Sequence, residues 1–160
     1  MKNILCFGDS NPWGANPTEP RRYGLHERWP GVLRDSLGEG FWVIEEGLGG
    51  RVTVWNDPVE DYKNGLEYLR PCLDSHQPDL VIILLGTNDL KHRFGLSPWD
   101  IASGAGKLAF TVRTWRQREG GIAPEVILVC PPPIIEVGAF NQMFAAAETL
   151  VSPALKQAIA

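Results

Sequence analysis

Four short apolar runs, each closed by glycine or proline, set the tightest limit on how this chain can fold. Asn3–Phe7 (N-I-L-C-F) runs into Gly8-Asp9-Ser10, Trp42–Glu46 ends at Gly47, Leu80–Leu85 ends at Gly86, and Val126–Cys130 ends at Pro131-Pro132-Pro133. Short runs rich in Val, Ile and Leu are the pattern of strands covered on both faces. The stretches between them are long enough for helices. Trp29, Val32, Leu33 and Leu37 fall at helical spacing before Gly38, a good helix terminator. Leu66, Leu69 and Leu73 do the same before His76-Gln77-Pro78. Ser97-Pro98 supplies a cap and first-turn proline for a third helix, whose pattern of Ile101, Leu108, Val112 and Trp115 continues to Gly120-Gly121. The alanine-rich stretch 140–160 is helical in character, with Pro153 as a kink or restart.

Strands alternating with helices imply right-handed crossovers and a parallel sheet. The expected fold is therefore α/β, a doubly wound three-layer α/β/α domain. At 160 residues, with 44% hydrophobic and 21% charged side chains, the chain fits one such domain over residues 1–160. In sheets of this kind ligands bind beyond the carboxyl ends of the strands. The loops after the first three strands are where chemistry belongs.

Several function classes are disfavoured at once. The formal net charge is -4, and Arg21, Arg22, Arg51, Arg113 and Arg116 are scattered, so no basic stripe exists for nucleic acid. No apolar run approaches the roughly 20 residues of a membrane span. Met1 leads directly into a strand-like segment with no signal-peptide core, which points to the cytoplasm. Three cysteines, Cys6, Cys72 and Cys130, cannot all pair within one chain, and they read as buried, inert thiols. No His/Cys/carboxylate cluster stands at ligand spacing, so neither metal nor cofactor is expected.

The loop after strand one, Gly8-Asp9-Ser10-Asn11-Pro12-Trp13-Gly14, places a hydroxyl among small residues where a buried strand stops. That is one way a nucleophile is presented at a sheet edge, though Gly-Asp-Ser alone is also a common turn. After strand two, Gly47-Leu48-Gly49-Gly50-Arg51 can bring backbone N–H groups close to an anion. A phosphate site is disfavoured because neither Gly-Lys-Ser/Thr nor G-x-G-x-x-G follows a strand. After strand three, Gly86-Thr87-Asn88-Asp89 offers the Asn88 amide, a neutral donor suited to a developing oxyanion and equally able to act as a turn residue.

Taken together and in this order, Gly8-Asp9-Ser10, Gly50 and Gly86-Thr87-Asn88-Asp89 resemble the first three blocks of the SGNH (GDSL-like) hydrolases. The phrases 4–10, 43–48 and 79–89 look most like the bacterial arylesterase/acyltransferase branch, and the likeness covers nearly the whole chain. The resemblance implies a flavodoxin-like sheet and a serine esterase. In it Ser10 is the nucleophile, and the N–H groups of Ser10 and Gly50 with the Asn88 side chain are the oxyanion donors. Asp9 and Asp89 would support these groups, and Asn11 and Trp13 would border an acyl pocket.

Two departures from the family pattern stand out. Asn11-Pro12 replaces the Leu-Thr of many relatives, which alters the helix entry beside Ser10. The family's Asp-x-x-His is missing from the last 23 residues, 138–160, so the expectation is a domain that stops before that element and leaves an open sheet edge. The three histidines are His26, His76 and His92. His76 reads as a solvated helix end and His26 as a loop residue. His92 completes Asp89-Leu90-Lys91-His92 but follows the oxyanion loop, so it is expected at the surface or pocket rim.

The leading reading is an esterase or acyltransferase that passes a small acyl group from an ester to water or an alcohol through an acyl-Ser10 intermediate. A carbohydrate-ester deacetylase or lipase would use the same residues. A catalytically incomplete binding or assembly module is the alternative of a different class. Trp13, Trp55, Phe94 and Trp99 are candidates to line the site, and six tryptophans suggest self-association into a homo-oligomer.

Overall fold

The computed structural model describes residues 1–116, 121–134 and 141–144. Among the described residues, four parallel strands form the centre: β1 (Lys2–Gly8), β2 (Phe41–Gly47), β3 (Leu80–Leu84) and β4 (Glu125–Leu128). Their spatial order is β2-β1-β3-β4. Four α-helices cover or cap them: α1 (Ser10–Trp13), α2 (Trp29–Leu37), α3 (Gly65–His76) and α4 (Pro98–Thr114). This is the doubly wound α/β arrangement that the alternation of runs implied.

Strand alternation divides the sheet residues between two cores. Leu5 and Phe7 of β1, with Val81 and Ile83 of β3, pack against Leu69 and Leu73 of α3 and Leu108 and Val112 of α4. Ile4 and Cys6, with Val43 of β2, face the other way onto Trp29, Leu33 and Leu37 of α2. Complete burial of Leu5 and Phe7 follows from this double cover. Each such side chain contributes about 1.5–3 kcal/mol relative to exposure.

Local signals act where the sequence placed them. Ser97 caps α4 by a reciprocal pair of bonds with Asp100, and Pro98 occupies its first turn. Asn64 caps α3 by accepting from Leu66 N. Gly38 closes α2 at φ 73°. Three elements end earlier than expected. β3 stops at Leu84 and β4 at Leu128, short of Leu85 and Cys130, while α4 ends at Thr114 instead of running to Gly120. Trp115 leaves the helix with extended backbone, and its indole N–H donates to Asp74 of α3 at 2.8 Å. A tertiary bond, not a local stop signal, ends this helix. The expected C-terminal helix lies outside the described residues except for Asn141–Phe144, which form a 3₁₀ turn.

Candidate active site

Register brings the expected loops to one edge. Gly8, the last residue of β1, pairs with Gly47 of β2 and Leu84 of β3, so the chain leaves all three strands at the same level. Gly47 permits close packing there, because a Cβ on it would lie 2.2 Å from the Trp13 nitrogen of α1. Ser10 is the first residue of α1 and is half-buried. Asp9 caps the turn, its Oδ1 accepting from the Asn11 backbone N–H at 2.8 Å and the Asn11 side chain at 2.9 Å. Burial pushes the fully enclosed Asp9 carboxyl up from its ordinary value, opposed by the Asn11 donors. Pro12 is buried in this short helix, and Trp13 carries the Arg22 guanidinium 5.1 Å above its ring.

The second loop is fastened to the first. Leu48 N–H donates to Gly8 O at 3.0 Å, and the guanidinium of Arg51 donates to Gly8 O at 2.9 Å and to Glu46 O. Arg51 is 1% exposed, with its charge 4.3 Å from the Phe7 ring centre and 4.8 Å from that of Tyr68. Burial lowers its pKa, countered by the fields of Cys72, Glu46, Tyr68 and Asp9. Gly50 holds φ 81°, a left-handed conformation that favours glycine.

The third loop enters as two 3₁₀ turns, Asn88–Leu90 and His92–Phe94. Asn88 is buried and donates from Nδ2 to Arg51 O at 3.1 Å, which leaves the other amide hydrogen available. Asp89, 1% exposed, accepts from Thr53 N–H at 3.0 and 3.1 Å and from the Thr53 hydroxyl. Burial raises its pKa to about 6 against the Thr53 bonds, with the Asp9 charge adding to the rise. Among the described residues, no hydrogen bond occupies the backbone N–H of Ser10 or of Gly50. Two backbone donors and one side-chain donor thus come from three adjoining loops, the composition an oxyanion site requires.

The other expected residues spread out. Trp55 and Phe94 are half-buried on the loops that follow β2 and β3, whereas Trp99 is 72% exposed on the first turn of α4. His26 pairs with Asp35 at 2.7 Å on the exposed side, and His92 is exposed in the second 3₁₀ turn. His76 differs from the solvated helix end expected. Its Nε2 lies 2.9 Å from Glu46 Oε1 and the ring is partly buried.

The sequence showed no His/Cys/carboxylate cluster at ligand spacing, but the fold assembles one such group. Glu46, Cys72 and His76 bring one ligand atom each within 4.8 Å of one another. Cys72 and His76 sit one helical turn apart on α3, but Glu46 comes from β2, so linear spacing could not reveal the group. Burial and then the Glu46 charge push the Cys72 thiol up to about 12, so it stays protonated beside the Glu46–His76 pair. Cys6 is likewise buried and pushed up to about 12.

Sequence reasoning also missed the charged network behind the loops. Asp57 and Glu60 meet Lys91 and Arg93, with Lys91 4% exposed and the Asp57 side chain fully enclosed. Nothing local marks these four residues, because the pairs span more than 30 positions.

Comparison with known proteins gives a family and close structural relatives for this fold. Residues 6–159 match the model of the GDSL-like Lipase/Acylhydrolase family. The aryl esterase of M. smegmatis superposes with a TM-score of 0.93 at 42% identity, covering 99% of this chain and 78% of that one. A carbohydrate acetylesterase from Sinorhizobium meliloti gives a TM-score of 0.88 at 40% identity, covering 99% of this chain and 76% of that one. An arylesterase from Vibrio mimicus is 34% identical over 91 residues, which is 55% of this chain and 38% of the relative's length.

Proposed function

The chain belongs to the GDSL-like Lipase/Acylhydrolase family, and from that premise we propose that it is a serine esterase cleaving small carboxylic esters through Ser10. One observation carries the proposal. The loops holding Ser10, Gly50 and Asn88 leave adjacent strands at one level and are tied together by the Asn88–Arg51 and Arg51–Gly8 bonds.

The reaction follows from the chemistry of these groups. Ser10 Oγ adds to the ester carbonyl while a general base takes its proton. The carbonyl oxygen becomes an alkoxide, which the N–H groups of Ser10 and Gly50 and the Asn88 amide stabilise. Collapse expels the alcohol, which takes a proton, and leaves an acyl-Ser10 ester. Water or a second alcohol then repeats the addition and releases the acyl group. With water the outcome is hydrolysis, and with an alcohol it is acyl transfer. Among the described residues no hydrogen bond links Ser10 to a histidine, so His26, His76 and His92 are not assigned as the base.

A carbohydrate acetyl ester is a second substrate class, favoured by the 40% identity with the Sinorhizobium meliloti acetylesterase. Cytoplasmic residence is supported by Cys6 and Cys72, both free and buried. No helix among the described residues is long and apolar enough to cross a membrane. Self-association is supported by Trp42, 57% exposed on the outer strand β2, and by the exposed Val32 of α2.

Hydrolysis of a short aryl acetate by the wild type and by Ser10→Ala tests the proposal. Activity that disappears in the variant is expected, and activity that survives it would remove Ser10 from the mechanism. Acetylated xylose offered in parallel separates the two substrate classes.

A further inference from the structure

The Glu60 carboxylate links the Gly50 loop to the turns that follow Asn88. A Cβ built on Gly50 would lie 2.8 Å from Glu60 Oε2, so the carboxylate rests directly against that backbone. The other oxygen accepts from Lys91 Nζ at 2.9 Å and Arg93 Nη2 at 2.6 Å. Those cations follow Asn88 by three and five residues. Lys63, whose Nζ is 3.9 Å from Glu60 Oε2, donates to Gly49 O at 2.7 Å. Asp57 completes the group. It bonds Arg93 at 2.5 Å and accepts from the Glu60 backbone N–H at 3.1 Å.

We infer that Glu60 is a positioning residue that sets Gly50 and the Asn88 turn at a fixed separation, so that both donors converge on one oxygen. This rests on the esterase reading above. The physical case is one of geometry and charge. Gly50 has no side chain of its own to anchor it, and its left-handed backbone is held in part by what presses against it. Removing one partner of an ion pair leaves a buried remaining charge with its desolvation cost. Without Glu60, Lys91, at 4% exposure, would keep only the more distant Asp57 carboxylate, 3.7 Å away, as a charged partner. The bonds from Lys91 and Arg93 hold the Glu60 carboxyl below its ordinary range, against burial, so it is a carboxylate at neutral pH. A misplacement of about 1 Å in such a site can cost roughly 100-fold in rate.

The test is Glu60→Gln in the full chain, which keeps size and one acceptor while removing the charge. Two readouts are taken together: steady-state hydrolysis of an aryl acetate, and the ¹⁵N–¹H resonances of the Gly50 amide and the Asn88 side chain. The expected result is a kcat lowered roughly 10- to 100-fold with KM little changed, and both resonances displaced. A folded variant with wild-type kcat, or with the Gly50 and Asn88 signals unmoved, overturns the proposal. Arg93→Gln, at a partner 23% exposed against 4% for Lys91, replaces it if Glu60→Gln does not fold, and is held to the same outcomes. Wild-type hydrolysis that persists in Ser10→Ala defeats the esterase reading instead, and the resonances then decide the coupling of the two loops alone.

Discussion

Asn88 and Arg51 hold each other in place across the carboxyl edge of the sheet, the Asn88 amide donating to the Arg51 carbonyl at 3.1 Å while the Arg51 guanidinium reaches back to Gly8. The bond leaves Asn88 with one free amide hydrogen and a fixed direction. Asn88→Ala should therefore lower kcat for an aryl acetate by roughly 10²–10³, the usual cost of a lost oxyanion donor. Its stability should fall by only about 1 kcal/mol, since a single neutral hydrogen bond is removed. Kinetics and thermal unfolding on the same preparation check both parts.

Arg51 is the more structural member of the pair. Arg51→Met should destabilise the domain by about 3 kcal/mol, because Glu46 O and Gly8 O lose a charged donor, Gly8 O keeping the Leu48 N–H. Arg51→Lys should recover only part of this, since an ammonium lacks the planar fork that lies between Phe7 and Tyr68. Equal midpoints for the Lys variant and the wild type in urea would show that charge alone suffices.

Asp89 gives a pH dependence of definite sign. Its pKa in the folded protein is raised to about 6 from 3.8. The folded state therefore holds the proton more tightly than the unfolded one, and the group's favourable contribution, full below about pH 4, is lost as pH rises through about 6. Asp89→Asn removes this titration. The thermal midpoint of the wild type, measured relative to Asp89→Asn, should fall between pH 4 and pH 7. A difference that is constant or grows over this range would contradict the assignment.

Two glycines in α4 should respond in opposite directions to alanine. A Cβ at Gly104 would meet Thr53 Oγ1 at 2.4 Å, whereas one at Gly106 meets nothing within 4 Å. Gly106→Ala should stabilise by about 0.5–1 kcal/mol through helix propensity. Gly104→Ala should destabilise, and it should also reduce activity, because Thr53 is the residue that holds Asp89. Thermal unfolding together with esterase assays of the two variants distinguishes these effects.

The sheet was legible because each strand is a short, largely apolar run punctuated by glycine or proline, and the bounds of α2 were legible because Trp29, Leu33 and Leu37 mark its inner face, though Val32 is exposed. The loops after strands one, two and three could be marked from position alone, whereas Ser10, Gly50 and Asn88 were singled out together by the family resemblance. What escaped depends on pairing distant in sequence. The end of α4 is decided by the Trp115–Asp74 bond, and the Asp57–Glu60–Lys91–Arg93 network joins two loops whose sequences show only scattered charge. Arg51 read as one more dispersed cation, since nothing local shows that Phe7 and Tyr68 enclose it.

The most direct test is to treat the protein with an aryl phosphonate, find its mass increase, and map the modified peptide. One phosphonyl group per chain on the peptide containing Ser10, absent from Ser10→Ala, is the expected result. Modification elsewhere, or no modification under conditions where the protein hydrolyses an aryl acetate, would contradict an acyl-Ser10 mechanism.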